Sequence, residues 1–447
     1  MSTKSIGVAL VGCGTVGGAT AKIIVDNTAK IAARSGVELQ LLHIVDRSYA
    51  RADELGITEG ARTSDLAVVC ADPNVDVVLE LVGGLTTAKS IIEQALRAGK
   101  HVVTANKALL AHHGAELLAL AADNGVCIGF EASCGGGIPI IRALYDGLAA
   151  NHIDAIYGIV NGTCNYILTE MIHNGADYPT ALAQAQKAGL AEADPTLDVS
   201  GVDSAHKIAI MASLAFGVNI EFASIPVSGI DSLDLKDVLY AARLGYSVKL
   251  LAIADRRDNG VMLRVRPAFI AKEHPLAWVS GPFNAVSVYG NTTGHTMYYG
   301  RGAGGMPTGS AVVADIISLA LGSIPAVYRS SPALRGGAKE VAVIPVSELE
   351  SRYYLRIMVA DSPGALADIT GIFGRYGISI ASVHQDEPTD SDNGGSTAPV
   401  PVVVVLHTAK EQDVLAARDN INALESTAEV SSVIAIVDEH EEGIATH

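Results

Sequence analysis

The chain has 447 residues, 49% hydrophobic and 18% charged, with 31 Lys plus Arg against 48 Asp plus Glu and a formal net charge of −17. This length calls for two to four domains with ample core. So acidic a chain argues against unspecific binding to nucleic acid or an anionic membrane surface.

No run of 18 apolar residues occurs, and MSTKSIGVALVG leads straight into a strand, so neither a signal peptide nor a membrane span is expected and the location is read as cytoplasmic. The five cysteines (13, 70, 127, 134 and 164) are odd in number and without paired spacing, which suits reduced thiols and not a disulfide or zinc framework.

In chain order, Ser5–Val11 is an apolar strand followed by Gly12-Cys13-Gly14-Thr15-Val16-Gly17, which opens a helix expected over Gly14–Val25. G-x-G-x-x-G between a strand and a helix is the context of a dinucleotide fingerprint. The strand Leu39–Val45 ends in Asp46, placed to bind the adenosine ribose, although it arrives later than the usual spacing because Asn27–Gly36 lengthens the first crossover. Asp46 favours NAD, while the adjacent Arg47 could hold a 2′-phosphate, so the preference between NAD and NADP stays open.

Strand Val75–Val82, helix Ala88–Ala98, strand His101–Thr104, helix Ala115–Asp123 and strand Val126–Phe130 continue the alternation expected of a doubly wound parallel sheet. Ligands of such sheets bind beyond the carboxyl ends of the strands, here Gly12–Gly17, Gly83-Gly84, Thr104–Lys107 and Glu131 onward.

The glycine-rich joint Ala132–Pro139 precedes a mixed α+β region: helix Ile140–Ala149, strand Ala155–Val160, a turn over Asn161–Asn165, and strands Ser247–Ala254, Met262–Arg266 and Ala285–Tyr289. Within it, GLAEADPTLDVSGVDSAHK (189–207) carries Glu192, Asp194, Asp198 and Asp203 just before Lys207. Ser200 and Asp203 form an S-x-x-D capping signal for a helix from Gly201 through Ala212. Asp203 and Lys207 then share one face with Ile210 and Leu214, a charged pair at the end of an apolar stripe. Asp194, beside Pro195, is read as a turn former.

An apolar helix over Ser310–Leu321 follows GRGAGG (300–305) and returns to the first domain. After a polar stretch, the strands Tyr353–Val359, Ser379–His384, Val402–His407 and Val430–Val437 alternate with helices Ala365–Tyr376 and Gln412–Leu424 in β-α-β-β-α-β order, a ferredoxin-like unit with a polar loop over Asp386–Pro401. Val402–Val405 is expected buried or paired across a dimer. The units are a dinucleotide-binding domain (1–132 plus 305–323), a substrate and dimerisation domain (133–304), a linker (324–350) and the ferredoxin-like unit (351–438).

GCGTVGG (12–18), VTANKALLA (103–111), FEASCGGGIPII (130–141), GIVNGTCNYILTEM (158–171), AEADPTLDVSGVDSAHK (191–207) and GRGAGGMPTGSAVVADI (300–316) resemble homoserine dehydrogenase over most of the chain, and YLRIMVADSPGALADITGIFGRYGISIASVHQ resembles an ACT regulatory domain. The resemblance implies NAD(P)-dependent interconversion of L-homoserine and L-aspartate 4-semialdehyde in threonine, methionine and isoleucine biosynthesis.

By that analogy Lys207 is the acid/base, with a pKa lowered in a partly desolvated cleft, Asp203 orients it, and Lys107 is a second functional lysine near nicotinamide and substrate. The zwitterionic substrate needs carboxylates for its ammonium, assigned to Glu192 and Asp198, and a polar wall, assigned to Thr163 and the backbone of Gly162. Thr104, Lys107 and Gly305 join Gly12–Gly17, Asp46 and Arg47 in the implied coenzyme site. The family also implies a monovalent cation, usually sodium, at Glu131 and the carbonyls of Cys134, Gly136 and Ile138, L-threonine as effector near Asp361, Gly364 and Gln385, and a homodimer or homotetramer.

Two other readings compete. Cys134 in its glycine-rich turn could be a thiol nucleophile, but no histidine is evidently paired with it and Lys207 is left without a task. An amino-acid sensor with a degenerate nucleotide fold is disfavoured because every expected polar position is present.

Overall fold

The computed structural model describes residues 4–385, 399–438 and 440. The loop expected at 386–401 lies largely outside them.

Six parallel strands, β1 (Lys4–Val11), β2 (Val37–Val45), β3 (Ala61–Thr63), β4 (Val77–Glu80), β5 (His101–Thr104) and β6 (Ile128–Gly129), pair in the order β3-β2-β1-β4-β5-β6. Helices cover both faces, so β1 and β4 are continuous buried apolar runs and not alternating ones. The strand order reverses between β1 and β4, which opens the crevice where such sheets bind ligands.

The helix after β1 runs over Thr15–Ser35, well past the expected Val25, and stops at Gly36 in the left-handed conformation. Its length is why Asp46 arrives late. The returning helix, Gly305–Leu321, packs on it through small residues: a Cβ on Gly305 would lie 2.9 Å from the Thr15 carbonyl oxygen, and one on Gly309 3.1 Å from the Thr20 nitrogen.

The second sheet joins β7 (Ile153–Ile159), β9 (Tyr246–Arg257), β10 (Gly260–Ala271), β11 (Phe283–Gly290), β12 (Gly294–Arg301), β14 (Glu350–Val359), β15 (Ile380–Gln385), β16 (Val400–Lys410) and β17 (Thr427–Val437). Its order is β12-β11-β7-β9-β10-β17-β14-β16-β15, while β8 (Val218–Asn219) and β13 (Lys339–Glu340) form a short separate pair. The ferredoxin-like unit is therefore not a free appendage. Its last strand β17 pairs in parallel with β10 (Ala268 with Ala435, Phe269 with Ile436, Ile270 with Val437), and one sheet runs through both units.

Buried ion pairs reinforce that seam. The Arg356 guanidinium donates to both Asp237 carboxylate oxygens at 2.7 and 3.1 Å, and the hydroxyls of Tyr354 and Ser432 donate to the same carboxylate. Arg266 and the Tyr353 hydroxyl meet Glu411 in the same way. Val402–Val405 lie buried between β14 and β15, as expected.

Three local expectations need correction. The helix expected at Ala115 starts at Lys107, because Asn106 caps it by accepting from the Leu109 N–H. The expected turn at 161–165 is the start of a helix, Gly162–Asn174, capped by Asn161 on the Cys164 N–H. The Ser200–Asp203 capping signal is not used: the helix is Val202–Phe216, preceded by Gly201 at φ +86°, and no side chain caps it. Asp203 is drawn away from the cap by two ammonium groups. Among the described residues no single helix is long and apolar enough to cross a membrane.

Candidate active site

The glycine fingerprint divides three tasks among three residues. Gly12 takes φ +93°, and a Cβ there would press on the Leu81 and Val82 backbone at 2.8–2.9 Å. A Cβ on Gly17 would lie 1.9 Å from the Gly12 carbonyl oxygen, so only glycine lets the helix pack so close to the strand. A Cβ on exposed Gly14 would meet no protein atom, so its lack of a side chain leaves room for a ligand. The helix N-terminus at Thr15 and Val16 points into that room, a place suited to a pyrophosphate. These residues fit a dinucleotide.

Asp46 closes this site at the tip of β2. Its carboxylate accepts from the Cys13 N–H at 2.6 Å and the Ser48 N–H at 3.1 Å. Partial burial opposes ionisation, but those amides hold the carboxyl below its ordinary range. Arg47 is exposed. Thr104 is buried and its hydroxyl donates to Glu80 at 2.7 Å, so its side chain organises the β4–β5 rim and does not itself reach outward. Buried Glu80 also accepts from the Val82 and Gly83 N–H groups, shaping the turn at Gly83-Gly84; sequence reasoning missed it.

Beyond the sheet, the helices Lys107–Asp123 and Val202–Phe216 bring three charges together. Asp203 is buried, with one carboxylate oxygen 2.8 Å from the Lys107 Nζ and the other 2.8 Å from the Lys207 Nζ. Lys207 also donates to the Val160 carbonyl at 2.5 Å, which commits two of its three N–H bonds. Burial would raise the Asp203 carboxyl, but Lys207 and Lys107 hold it well below the usual carboxylate range.

Burial alone would lower Lys107, and the Asp203 carboxylate overrides it, leaving that lysine above its ordinary value. The cluster thus stabilises the charged form of Lys107. Lys107 has 35% of its side chain exposed against 8% for Lys207, so Lys107 lines the open side and Lys207 the floor.

Asn161 ties this triad to the acidic loop. Its amide nitrogen donates to Asp198 and to Asp203, each at 2.8 Å, while its oxygen caps the Gly162 helix. The Thr163 hydroxyl lies 2.7 Å from the Leu190 carbonyl oxygen and 3.2 Å from Asp198; its single proton serves one acceptor at a time. Asp198, Thr163 and Gly162 therefore stand with Asp203, whereas Glu192 lies exposed on the loop before them. Asp194 accepts from the Thr196 N–H and hydroxyl, the turn role expected of it. Asn161 is buried and was legible only as a turn residue; its cap position was the available signal.

At the glycine joint, both carboxylate oxygens of Glu131 accept from the backbone, at Ile141 and Arg142, and burial pushes its carboxyl up to about 7. Cys134 and Ile138 are buried around the same joint, with Gly136 at φ +54°. Among the described residues no three His, Cys, Asp or Glu side chains converge as a metal cage, and the Glu131 N–H donates to the buried Asp315 carboxylate at 2.8 Å. The Cys134 thiol is pushed up to about 12 by burial and faces the Lys207 carbonyl, not a histidine, which argues against a thiolate nucleophile. Asp361, Gly364 and Gln385 are all exposed, the first two at the turn after β14 and the last at the end of edge strand β15. Gly305 packs against Thr15 at the head of the nucleotide helix.

Comparison with known proteins places this geometry. Residues 12–131 match the NAD-binding domain of homoserine dehydrogenase, 139–317 the homoserine dehydrogenase family itself and 353–426 the ACT domain. The chain is 42% identical to a homoserine dehydrogenase of Pseudomonas aeruginosa, covering 96% of this chain and 98% of that one. It superposes on a homoserine dehydrogenase structure from Thiobacillus denitrificans with a TM-score of 0.90 at 41% identity, over 97% and 99% of the two chains. A hyperthermophilic archaeal homoserine dehydrogenase in complex with NADPH matches with a TM-score of 0.60 at 28% identity, over 71% and 98%. With the fingerprint, the lysine–aspartate cluster and the fused ACT unit all in place, the chain belongs to the homoserine dehydrogenase family, in the form that carries an ACT domain.

Proposed function

We propose that the chain interconverts L-homoserine and L-aspartate 4-semialdehyde in the biosynthesis of threonine, methionine and isoleucine, with the reaction centred on Asp203 and its two lysines. The observation that carries this reading is one buried carboxylate held 2.8 Å from both Lys107 and Lys207 beside the nucleotide crevice. When bound, the nicotinamide supplies the hydride to the aldehyde carbon or takes it back from the alcohol.

Lys207 gives the proton to the carbonyl oxygen during reduction and removes it from the hydroxyl during oxidation. Asp203 fixes its direction, and the Val160 carbonyl leaves one N–H for the substrate oxygen. Lys107, on the open side, steadies the negative charge that develops on that oxygen. Asp198 and Glu192 receive the substrate ammonium, and Thr163 with the Gly162 backbone forms the polar wall. Thr15, Val16 and Gly305 frame the pyrophosphate.

A monovalent cation such as sodium at Glu131 and the carbonyls of Cys134, Gly136 and Ile138 would neutralise a buried acid that the joint otherwise leaves partly uncompensated. L-threonine is the effector that suits the exposed turn at Asp361 and Gly364 with Gln385. The arrangement is a homodimer or homotetramer in the cytoplasm.

The test is production of reduced coenzyme from L-homoserine with NAD+ or NADP+, run in sodium and in choline salts and with threonine up to about 10 mM, a range that covers weak millimolar binding. Homoserine-dependent turnover that falls in choline and changes with threonine is expected. No turnover with either coenzyme overturns the assignment; indifference to sodium or threonine removes that component.

A further inference from the structure

We infer that this chain selects NAD(H) over NADP(H), because the carboxylate at the tip of β2 is clamped where a 2′-phosphate would have to sit. The inference rests on the dinucleotide reading of the Gly12–Gly17 turn. In a fold of this kind the adenosine ribose lies against the end of the second strand, and an acid there binds its free hydroxyls.

Asp46 cannot swing aside cheaply. One oxygen is held at 2.6 Å by the Cys13 N–H inside the glycine turn, and the other by the Ser48 N–H at 3.1 Å. Removing it would leave the Cys13 amide, whose residue is buried, without its acceptor. A dianionic phosphate therefore meets a fixed negative charge.

The arginines nearby do not offset this charge. Arg51 is paired with Glu54 at 2.7 Å, and Arg62 with Asp53 at 2.6 Å while lying 5.2 Å from the Tyr49 ring centroid. Three arginines (47, 51 and 62) stand against three carboxylates (46, 53 and 54), so no surplus positive charge awaits a phosphate. Arg47 is exposed beside Asp46 and acts on that carboxylate, so its charge is offset there.

Two measurements on the intact enzyme test this. Calorimetric binding of adenosine 5′-monophosphate and adenosine 2′,5′-bisphosphate should differ at least about tenfold in favour of the monophosphate, and kcat/KM for NAD+ over NADP+ by a similar factor. Asp46→Asn keeps an oxygen for the Cys13 N–H and removes the charge, so both ratios should fall toward one. Equal or tighter binding of the bisphosphate by the unaltered enzyme, or ratios unmoved in Asp46→Asn, overturns the inference. If that variant does not fold, the ratios of the unaltered enzyme decide alone. Binding ratios as expected without homoserine turnover would leave this inference standing while the proposed reaction fell.

Discussion

Asp203 has an environment sensitive to change, because its ionisation is opposed by burial and sustained by two ammonium groups and the Asn161 amide. Its folded pKa lies below the unfolded value of about 3.9. The stability it contributes is thus present above that pH and lost as pH falls below it. Lys107 is shifted the other way: its contribution is present below about 10.4 and lost as pH rises through its raised folded value. Between these limits Asp203 and Lys107 stay an ion pair.

In the proposed reaction, reduction takes a proton from the cluster and oxidation returns one to it. We expect kcat/KM for oxidation to rise with pH relative to that for reduction. A ratio of oxidation to reduction that does not rise with pH would contradict proton transfer by this cluster.

At the scale of elements, the fingerprint glycines separate packing from ligand space. Gly17→Ala places a methyl 1.9 Å from the Gly12 carbonyl oxygen and should destabilise the fold by about 1–3 kcal/mol or more, with loss of coenzyme binding. Gly14→Ala meets no protein atom, so its thermal midpoint should stay near that of the parent while NADH binding weakens. Thermal unfolding and NADH titration of the two variants check this; equal loss of stability in both would contradict the division.

Much of this scale was legible in the sequence. The strand–glycine turn–helix opening, the returning helix and the ferredoxin-like order all follow from hydrophobic period and turn residues, which are local signals. The start of the helix at Lys107 was not, because its first turns carry His112, His113 and Gly114 and show little apolar period. The Ser200–Asp203 cap failed because a distant lysine competes for the Asp203 side chain. Asn161 was missed for a related reason: its partners Asp198 and Asp203 lie 37 and 42 residues away, beyond any local pattern.

For the molecule as a whole, the fused sheet decides how the ACT unit can move. A unit joined through β10–β17 pairing and a buried Arg356–Asp237 pair moves with the substrate domain and not on a loose tether. β10 in turn holds the loop that leads to the site, because the Ser228 N–H donates to the Val265 carbonyl and the Ile230 N–H to the Val199 carbonyl, next to Asp198. Breaking the pair by Arg356→Leu leaves Asp237 buried with hydroxyl donors only and should cost about 3–5 kcal/mol. Chemical denaturation should show that loss in one concerted transition involving both units. Two separated transitions in the parent protein would mean the units fold independently.

The central claim is that Lys207 carries the proton in a site where Asp203 and Lys107 are its partners. Its most direct test is Lys207→Ala, assayed for homoserine-dependent turnover and, in parallel, for NADH binding. The account predicts that turnover is largely abolished while NADH affinity stays within about threefold of the parent, because Asp203 keeps Lys107 and the glycine turn lies on other elements. Turnover near that of the parent would contradict it.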